Sequence, residues 1–302
     1  MWEQQINEIK QGNTKTLARC ISYIENEVKG YEELLQQLPP SQTPVIGITG
    51  PPGAGKSTLV DALTGLLVNE GRSVAVICVD PSSPFNLGAL LGDRIRMSDW
   101  YNNPKVFIRS LATRGSLGGL HPKIIEISDL MKLASFDYII IETVGVGQSE
   151  IEIAGLADIT VVVVVPEAGD EVQTMKAGLM EIADVFVVNK SDRPGADLFV
   201  NNLRLMLAPA FHPHPLKGGV PNIPIIKTIA SQKKGIDELL KTITDSFSKA
   251  KDNEKRSWLL AEKAFYLIQQ KKMTAIDKGL LKQKIEAEGK DFNLYAFIKQ
   301  YY

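Results

Sequence analysis

Cysteine is scarce in this chain: Cys20 and Cys78 are the only two among 302 residues. They lie too far apart in sequence for a metal-binding pair, and two cysteines make no disulfide framework. Buried, reduced thiols of a cytoplasmic protein are expected, with Cys78 inside the strand-like run "VAVICVD". Histidine is nearly as rare, with three residues. His212 and His214 stand in "FHPHPLKGG", where proline and glycine indicate an exposed loop and no third ligand is near, so no metal is assigned to them. His121 follows "GSLGGL" and opens a helical pattern, which suits a helix-end role. Excess charge is also lacking. A formal net charge of −1 gives no global basic field, so neither nucleic acid nor membrane is expected as a partner. The most apolar run, "ITVVVVVP", falls far short of the ~20 residues a membrane helix needs. It reads as a buried parallel strand. The opening "MWEQQINEIKQ" has no basic segment followed by an apolar one, so no signal peptide is expected.

What is present is an ordinary globular composition, 44% hydrophobic and 23% charged. The length suits one large α/β domain with additions, or two small domains. Residues 1–38 carry helical periodicity: Leu17, Ile21, Ile24 and Val28 recur at spacings of three and four, and "GYEELLQQL" repeats the pattern. "PPSQTP" breaks it. From residue 44 to about 248, short apolar runs alternate with amphipathic ones. "PVIGIT", "SVAVICVD", "KVFIRS", "DYIIIE", "ITVVVVV", "DVFVVN" and "IPIIKT" read as strands. Such alternation predicts an α/β fold with a mostly parallel sheet flanked by helices, and ligands beyond the carboxyl ends of the strands. Residues 249–302 read as helices again, with Trp258, Leu259, Phe265, Leu267 and Ile268 on a broad apolar face. That face suits packing on the chain's own sheet or a subunit interface. The division is therefore 1–43, a helical extension; 44–248, the α/β domain; and 249–302, a second helical extension.

"GITGPPGAGKST" contains Gly50-Pro51-Pro52-Gly53-Ala54-Gly55-Lys56-Ser57, which fits the phosphate-loop pattern, followed by Thr58. It sits between a strand and a helix, as the pattern requires. Glycines let the backbone wrap closely around phosphate, and the helix N-terminus aims amides at the anion. Lys56 is the candidate for the β- and γ-phosphates, and Ser57 for Mg²⁺. Magnesium takes oxygen ligands and keeps several waters. Three carboxylates stand at or beyond strand ends to complete its shell: Asp80, Asp93 and Glu142.

"VFVVNKSD" ends a strand with Asn189-Lys190-Ser191-Asp192. A carboxylate at Asp192 accepts from both guanine N1–H and the exocyclic amine. Adenine leaves it unpaired, a loss that supports strong discrimination. Lys190 is placed along the base plane, and Asn189 between base loop and phosphate loop. "TIASQKKG" supplies an amide near Ala230 for guanine O6. The bound cofactors read from these motifs are GTP or GDP with Mg²⁺.

In "IETVGVGQSEIE", Glu142 ends a strand as a metal-shell carboxylate, and the amide of Gly145 is placed to sense the γ-phosphate. Val146 follows, where many GTPases carry a water-orienting glutamine. Gln148, two residues later, is the substitute if its loop moves. No arginine stands out as an internal finger. Slow intrinsic GTP hydrolysis, accelerated by a partner, is expected.

Together with "VDPSSPFNLGALLGDRIRM" and "PEAGDEVQTMKAG", these strings resemble the MeaB/ArgK-type P-loop GTPases over roughly residues 10–270. That family includes the methylmalonyl-CoA mutase-associated protein MeaB and the human methylmalonic aciduria type A protein. The resemblance implies a SIMIBI-type P-loop NTPase of the G3E group. It implies a homodimeric metallochaperone that gates adenosylcobalamin loading and protects or reactivates an acyl-CoA mutase. The client would be methylmalonyl-CoA mutase or an isobutyryl-CoA type. It also implies switches at 80–96, 142–154 and 166–176, with Lys176 assisting hydrolysis when the partner is bound. The switch I string departs from the family pattern at Pro84 and Phe85. Two other readings are a nickel-delivery GTPase, which would want histidine or cysteine clusters, and a small-molecule kinase, against which the guanine motif argues.

Overall fold

The structure is a computed structural model describing residues 2–80, 97–113, 120–145, 149–166, 177–207, 223–247, 254–272, 276–288 and 292–301. By contacts the chain divides into two compact units, Met1–Arg256 and Ser257–Tyr302.

The first unit is built on seven strands: β1 (Val45–Thr49), β2 (Val74–Asp80), β3 (Val106–Ala112), β4 (Tyr138–Glu142), β5 (Ile159–Val164), β6 (Val185–Val188) and β7 (Ile225–Lys227). Their order is β3-β2-β4-β1-β5-β6-β7, and every neighbouring pair is parallel. β1, β2, β5 and β6 are buried at every residue. This is why they read as unbroken valine and isoleucine runs rather than alternating ones. The chain winds outward from β1 to β2 and β3 and returns at β4. It then crosses β1 to build β5, β6 and β7 on the other side. The loop after β1 therefore leaves the sheet where the winding reverses, the place where open α/β sheets bind ligands.

Residue alternation sorts the strands onto two faces. Ile46, Ile48, Val76, Cys78, Ile140, Val161 and Val163 pack with Leu59, Leu63 and Leu67 of α4 (Lys56–Asn69). Register places Glu142 beside both Cys78 and Ile48. Asp80 lies two residues beyond Cys78, so both carboxylates sit on the α4 face at the carboxyl edge. On the opposite face β1 carries Gly47. A Cβ there would stand 2.6 Å from Ile153 Cγ1 and 2.9 Å from Ala157 Cβ. The missing side chain thus seats the helix running over Ser149–Leu156 directly on β1.

The amino-terminal stretch is three helices rather than one: α1 (Glu3–Lys10), α2 (Thr14–Glu25) and α3 (Tyr31–Gln36). Asn13 stops the periodicity by capping α2, its Oδ1 accepting from Thr16 N at 3.1 Å. Val28, grouped by spacing with the α2 core residues, lies beyond the helix end and is 43% exposed. Leu17, Cys20, Ile21 and Ile24 are buried. Polar clamps hold these helices to the sheet domain. Arg109 of β3 donates to Glu25 Oε2 at 2.6 Å and to Ser22 Oγ at 3.1 Å. Lys123 pairs with Glu27 at 2.8 Å and donates to Tyr31 Oη at 3.0 Å. Burial alone would lower the Lys123 pKa, but Glu27 and Tyr31 outweigh it and raise it.

At the opposite edge, Asp137 joins the starts of β2 and β4. Its carboxylate accepts from Ser73 N and Ser73 Oγ, each at 2.8 Å, and from Arg72 at 3.3 Å. The Ser73 amide, then the hydroxyl and Arg72, lower its pKa. A lowered folded-state pKa stabilises above the ordinary carboxylate range, and that contribution is lost as pH falls through the folded value. Asp137→Asn is therefore expected to melt below the parent at pH 7. The gap should narrow toward pH 3; a gap that is constant with pH would refute this role.

The remaining helices of this unit include α5 (Ile124–Leu133), α6 (Ser149–Leu156), α7 (Ala177–Ile182), α8 (Ala196–Met206) and α9 (Ile236–Phe247). The second unit continues α10 (Glu254–Lys272) and adds α11 (Lys278–Glu288) and α12 (Leu294–Ile298). Phe297 is buried there between Phe292 and Tyr301, with ring centroids 5.6 Å from each. Trp258, Phe265 and Ile268 are exposed.

Candidate nucleotide-binding site

The loop between β1 and α4 carries the anion-binding backbone. Gly55 sits at φ +87°, and a Cβ on it would run into Asn189 Nδ2. Only glycine satisfies both conditions. Lys56 opens α4 and is buried, its Nζ donating to Gly50 O at 3.0 Å and Pro51 O at 3.1 Å. The ammonium is thus held over the loop that would surround a phosphate.

Ser57 Oγ donates to Glu142 Oε1 at 2.6 Å, a short, charge-assisted bond. Asp80, buried at the end of the adjoining strand, completes an all-oxygen set with Ser57 and Glu142. Hard oxygen donors of this kind suit Mg²⁺, which needs few protein ligands because it retains water. Two hydroxyls join β1 and β4 just before their loops: Thr49 and Thr143 share a hydrogen bond of 2.9 Å, and Thr143 N donates to Ile48 O at 3.0 Å. Beyond them Gly145, at φ +85°, comes down on the phosphate loop. A Cβ there would stand 2.5 Å from both Gly50 O and Lys56 Nζ.

The base loop is tied to the phosphate loop through two side chains. Asn189 Nδ2 donates to Ala54 O at 2.9 Å, and Lys190 Nζ donates to Gly53 O at 2.8 Å. Asn189 is 2% exposed, and its Oδ1 accepts from Thr228 Oγ1 and from Ala230 N, each at 3.1 Å. The two donors orient the amide so that its NH₂ faces the phosphate loop. Asp192 lies just beyond, exposed. The Ala230 amide, expected to face guanine O6, donates here to Asn189 Oδ1.

The structure thus gathers Gly50, Pro51, Pro52, Gly53, Ala54, Gly55, Lys56, Ser57 and Thr58 on one loop and helix start, with Asp80, Glu142 and Gly145 at the same edge. Asn189 and Lys190 join that loop from the β6 side. Asp93, Gln148 and Lys176 lie outside the described residues, as do Pro84, Phe85, Val146, His212, His214 and the insert 211–222. His121 is buried, and its Nδ1 accepts from Lys123 N at 3.0 Å just before α5. Sequence reasoning passed over Thr49, Thr143 and Thr228. A signal existed: each is a lone hydroxyl closing an apolar strand immediately before a loop of the site.

The family model for the methylmalonyl-CoA mutase-associated GTPase MeaB matches residues 17–284. The chain belongs to the MeaB family. A Pyrococcus horikoshii protein named as a GTPase is 43% identical over 295 residues, covering 96% of this chain and 90% of that one. The crystal structure of a LAO/AO transport system kinase superposes with a TM-score of 0.69 at 28% identity, covering 99% of this chain and 95% of that one. A fused isobutyryl-CoA mutase of Geobacillus kaustophilus is 35% identical over 260 residues, which is 81% of this chain and 24% of that protein. This MeaB-family chain accordingly has a P-loop NTPase fold, a parallel sheet flanked by helices, as its motifs led one to expect. Among the described residues no helix is long and apolar enough to cross a membrane.

Proposed function

We propose that this MeaB-family protein binds and hydrolyses GTP as a switch for an adenosylcobalamin-dependent acyl-CoA mutase, gating cofactor loading and protecting or reactivating the client. The observation that carries the mutase assignment is the fused isobutyryl-CoA mutase, about a quarter of which aligns with most of this chain. A single polypeptide holding both parts supports a partnership between the separate proteins. Methylmalonyl-CoA mutase is the first client to test, because the matching family is described by that enzyme.

The residues divide the work as follows. Amides of the phosphate loop and Lys56 hold the β- and γ-phosphates. Ser57, Glu142 and Asp80 would hold Mg²⁺, which when bound supplies positive charge to the phosphate oxygens. The Gly145 amide reports the γ-phosphate. Asp192 reads the guanine edge, while Asn189 and Lys190 fix the distance between base and phosphate loops. Val146 provides no group to orient water, so turnover is slow until a partner supplies or positions one; Lys176 and Gln148 are the candidates within this chain. The exposed side chains Trp258, Phe265 and Ile268 of α10 are assigned to a second copy in a homodimer.

The kinase name carried by the structural relative points to phosphate transfer onto a small acceptor. The guanine-selective loop argues against it. In the deciding experiment, GTP turnover is followed with the purified chain alone and with methylmalonyl-CoA mutase or an isobutyryl-CoA mutase. Turnover is expected to be slow alone and to rise at least about tenfold with a client, a partner effect well inside the known range for GTPases. Fast turnover of the isolated chain, or indifference to both mutases, would refute the proposal.

A further inference from the structure

β1 runs apolar and ends on Thr49, while Thr143 stands directly after Glu142, the last residue of β4. Both threonines are buried, and their Oγ1 atoms stand 2.9 Å apart. Two valines would fill the same volume and keep the β-branched shape. Exchanging both partners of a buried hydrogen bond for apolar groups of that shape is close to neutral for stability. Stability alone therefore does not call for threonine at either position. What two hydroxyls provide and two methyls cannot is distance. Carbon atoms in contact rest about 3.5–4.0 Å apart, about 1 Å farther than these two oxygens.

The bond falls where the chain leaves one of its two neighbouring strands. Pairing of β4 with β2 ends at Glu142, beside Cys78. Thr143 is held from the β1 side, its amide donating to Ile48 O at 3.0 Å and its hydroxyl meeting Thr49. Thr49 is fixed independently. It pairs with Val162 of β5, and a Cβ on the next residue, Gly50, would run into Val163 O. When the hydroxyl bond is lost, the phosphate loop stays on β5, and the chain after Glu142 is the part that shifts. Two residues beyond Thr143, that chain brings Gly145 down on Gly50 O and Lys56 Nζ. Alternation turns both hydroxyls to the sheet face opposite α4, so they act on the site through the backbone. We propose that Thr49 and Thr143 are positioning residues for the γ-phosphate: their bond sets the separation of the Gly145 amide from the phosphate loop. The inference rests on the GTP-binding reading above. A misplacement of about 1 Å costs up to about 100-fold in rate. GDP has no γ-phosphate and is spared.

The test follows single-turnover GTP hydrolysis, GDP affinity and thermal melting in variants of the full chain. Thr143→Val is expected to slow hydrolysis by about tenfold or more while GDP affinity stays within about threefold of the parent. Thr143→Ser keeps the hydroxyl and should hydrolyse at close to the parent rate. Thr49→Val orphans the Thr143 hydroxyl and should melt below the parent. The double variant Thr49→Val, Thr143→Val leaves no hydroxyl unpaired. It should melt closer to the parent than either single valine variant, yet hydrolyse as slowly as Thr143→Val. A purely supporting role would restore both together. Hydrolysis at the parent rate in Thr143→Val or in the double variant would overturn the inference, as would Thr143→Ser being as slow as Thr143→Val. A parent chain that bound no guanine nucleotide would sink the GTP reading on its own. The link is then read by hydrogen exchange at the Thr143 amide, which donates to Ile48 O. Faster exchange in Thr49→Val is expected, and unchanged exchange would overturn the link itself.

Discussion

Gly145→Ala should lose GTP hydrolysis by about 100-fold or more while retaining GDP affinity within about threefold. The reason is steric before it is chemical. The new methyl would lie 2.5 Å from Gly50 O and from Lys56 Nζ, on a backbone at φ +85° that an alanine adopts only with strain. Gly50 O belongs to the phosphate loop and cannot retreat cheaply, because it also accepts the Lys56 ammonium. The Gly145 backbone must therefore back away and take its amide with it. A donor aimed at charge developing in the transition state is worth about 10²–10³ in rate. GDP has no γ-phosphate for that amide to meet, so its binding is spared. Single-turnover hydrolysis and GDP titration check the two halves separately. Hydrolysis within threefold of the parent would mean that Gly145 is not the γ-phosphate contact.

Asn189→Ala should weaken both GTP and GDP by about 100-fold and lower stability by about 2–4 kcal/mol. The side chain ties three structures together: Ala54 O of the phosphate loop, Thr228 Oγ1 at the end of β7 and Ala230 N in the following turn. All of this takes place at a site 2% exposed. Truncation orphans a carbonyl, a hydroxyl and an amide, and each buried orphan costs about 1–3 kcal/mol unless water reaches it. The two loops would then lose their fixed separation, so base and phosphate can no longer be met together. Thr228→Val provides the graded comparison. It keeps the volume, removes one donor to Asn189 Oδ1 and should weaken both nucleotides by about fivefold, matching roughly 1 kcal/mol for one neutral hydrogen bond. Nucleotide affinity unchanged in Asn189→Ala would show that the base loop is held by Lys190 and the backbone alone.

Much of this architecture was legible in the residues, for physical reasons that differ from place to place. Parallel strands covered on both faces must be apolar throughout, and the runs at Val74, Ile159 and Val185 announced them. The phosphate loop was legible because backbone wrapping demands glycine at fixed spacing. The amino-terminal breaks were not, since Asn13 stops the periodicity by capping a new helix with its own side chain. Nor could spacing reveal where the Ala230 amide points. Its acceptor, Asn189, is 41 residues away and is brought there by strand pairing of β6 with β7. The Trp100–Asp61 bond, across 39 residues, is hidden for the same reason. Sequence proximity carries local conformation, while meetings of this kind are decided by the packing of whole elements.

The contact of α6 with Gly47 has a mechanical consequence. Gly145 rests on Lys56, and α6, from Ser149, is seated on β1 through Ile153 and Ala157. Only three residues join these two points, so a fully stretched tether reaches about 14 Å. The span from Asp80 to Met97 leaves the same edge with a reach of about 60 Å. With only three residues between them, Gly145 and α6 are the more closely coupled of these two pairs. A change at the γ-phosphate would then be felt around the end of β1, on the face of the sheet opposite the helix that holds the phosphate.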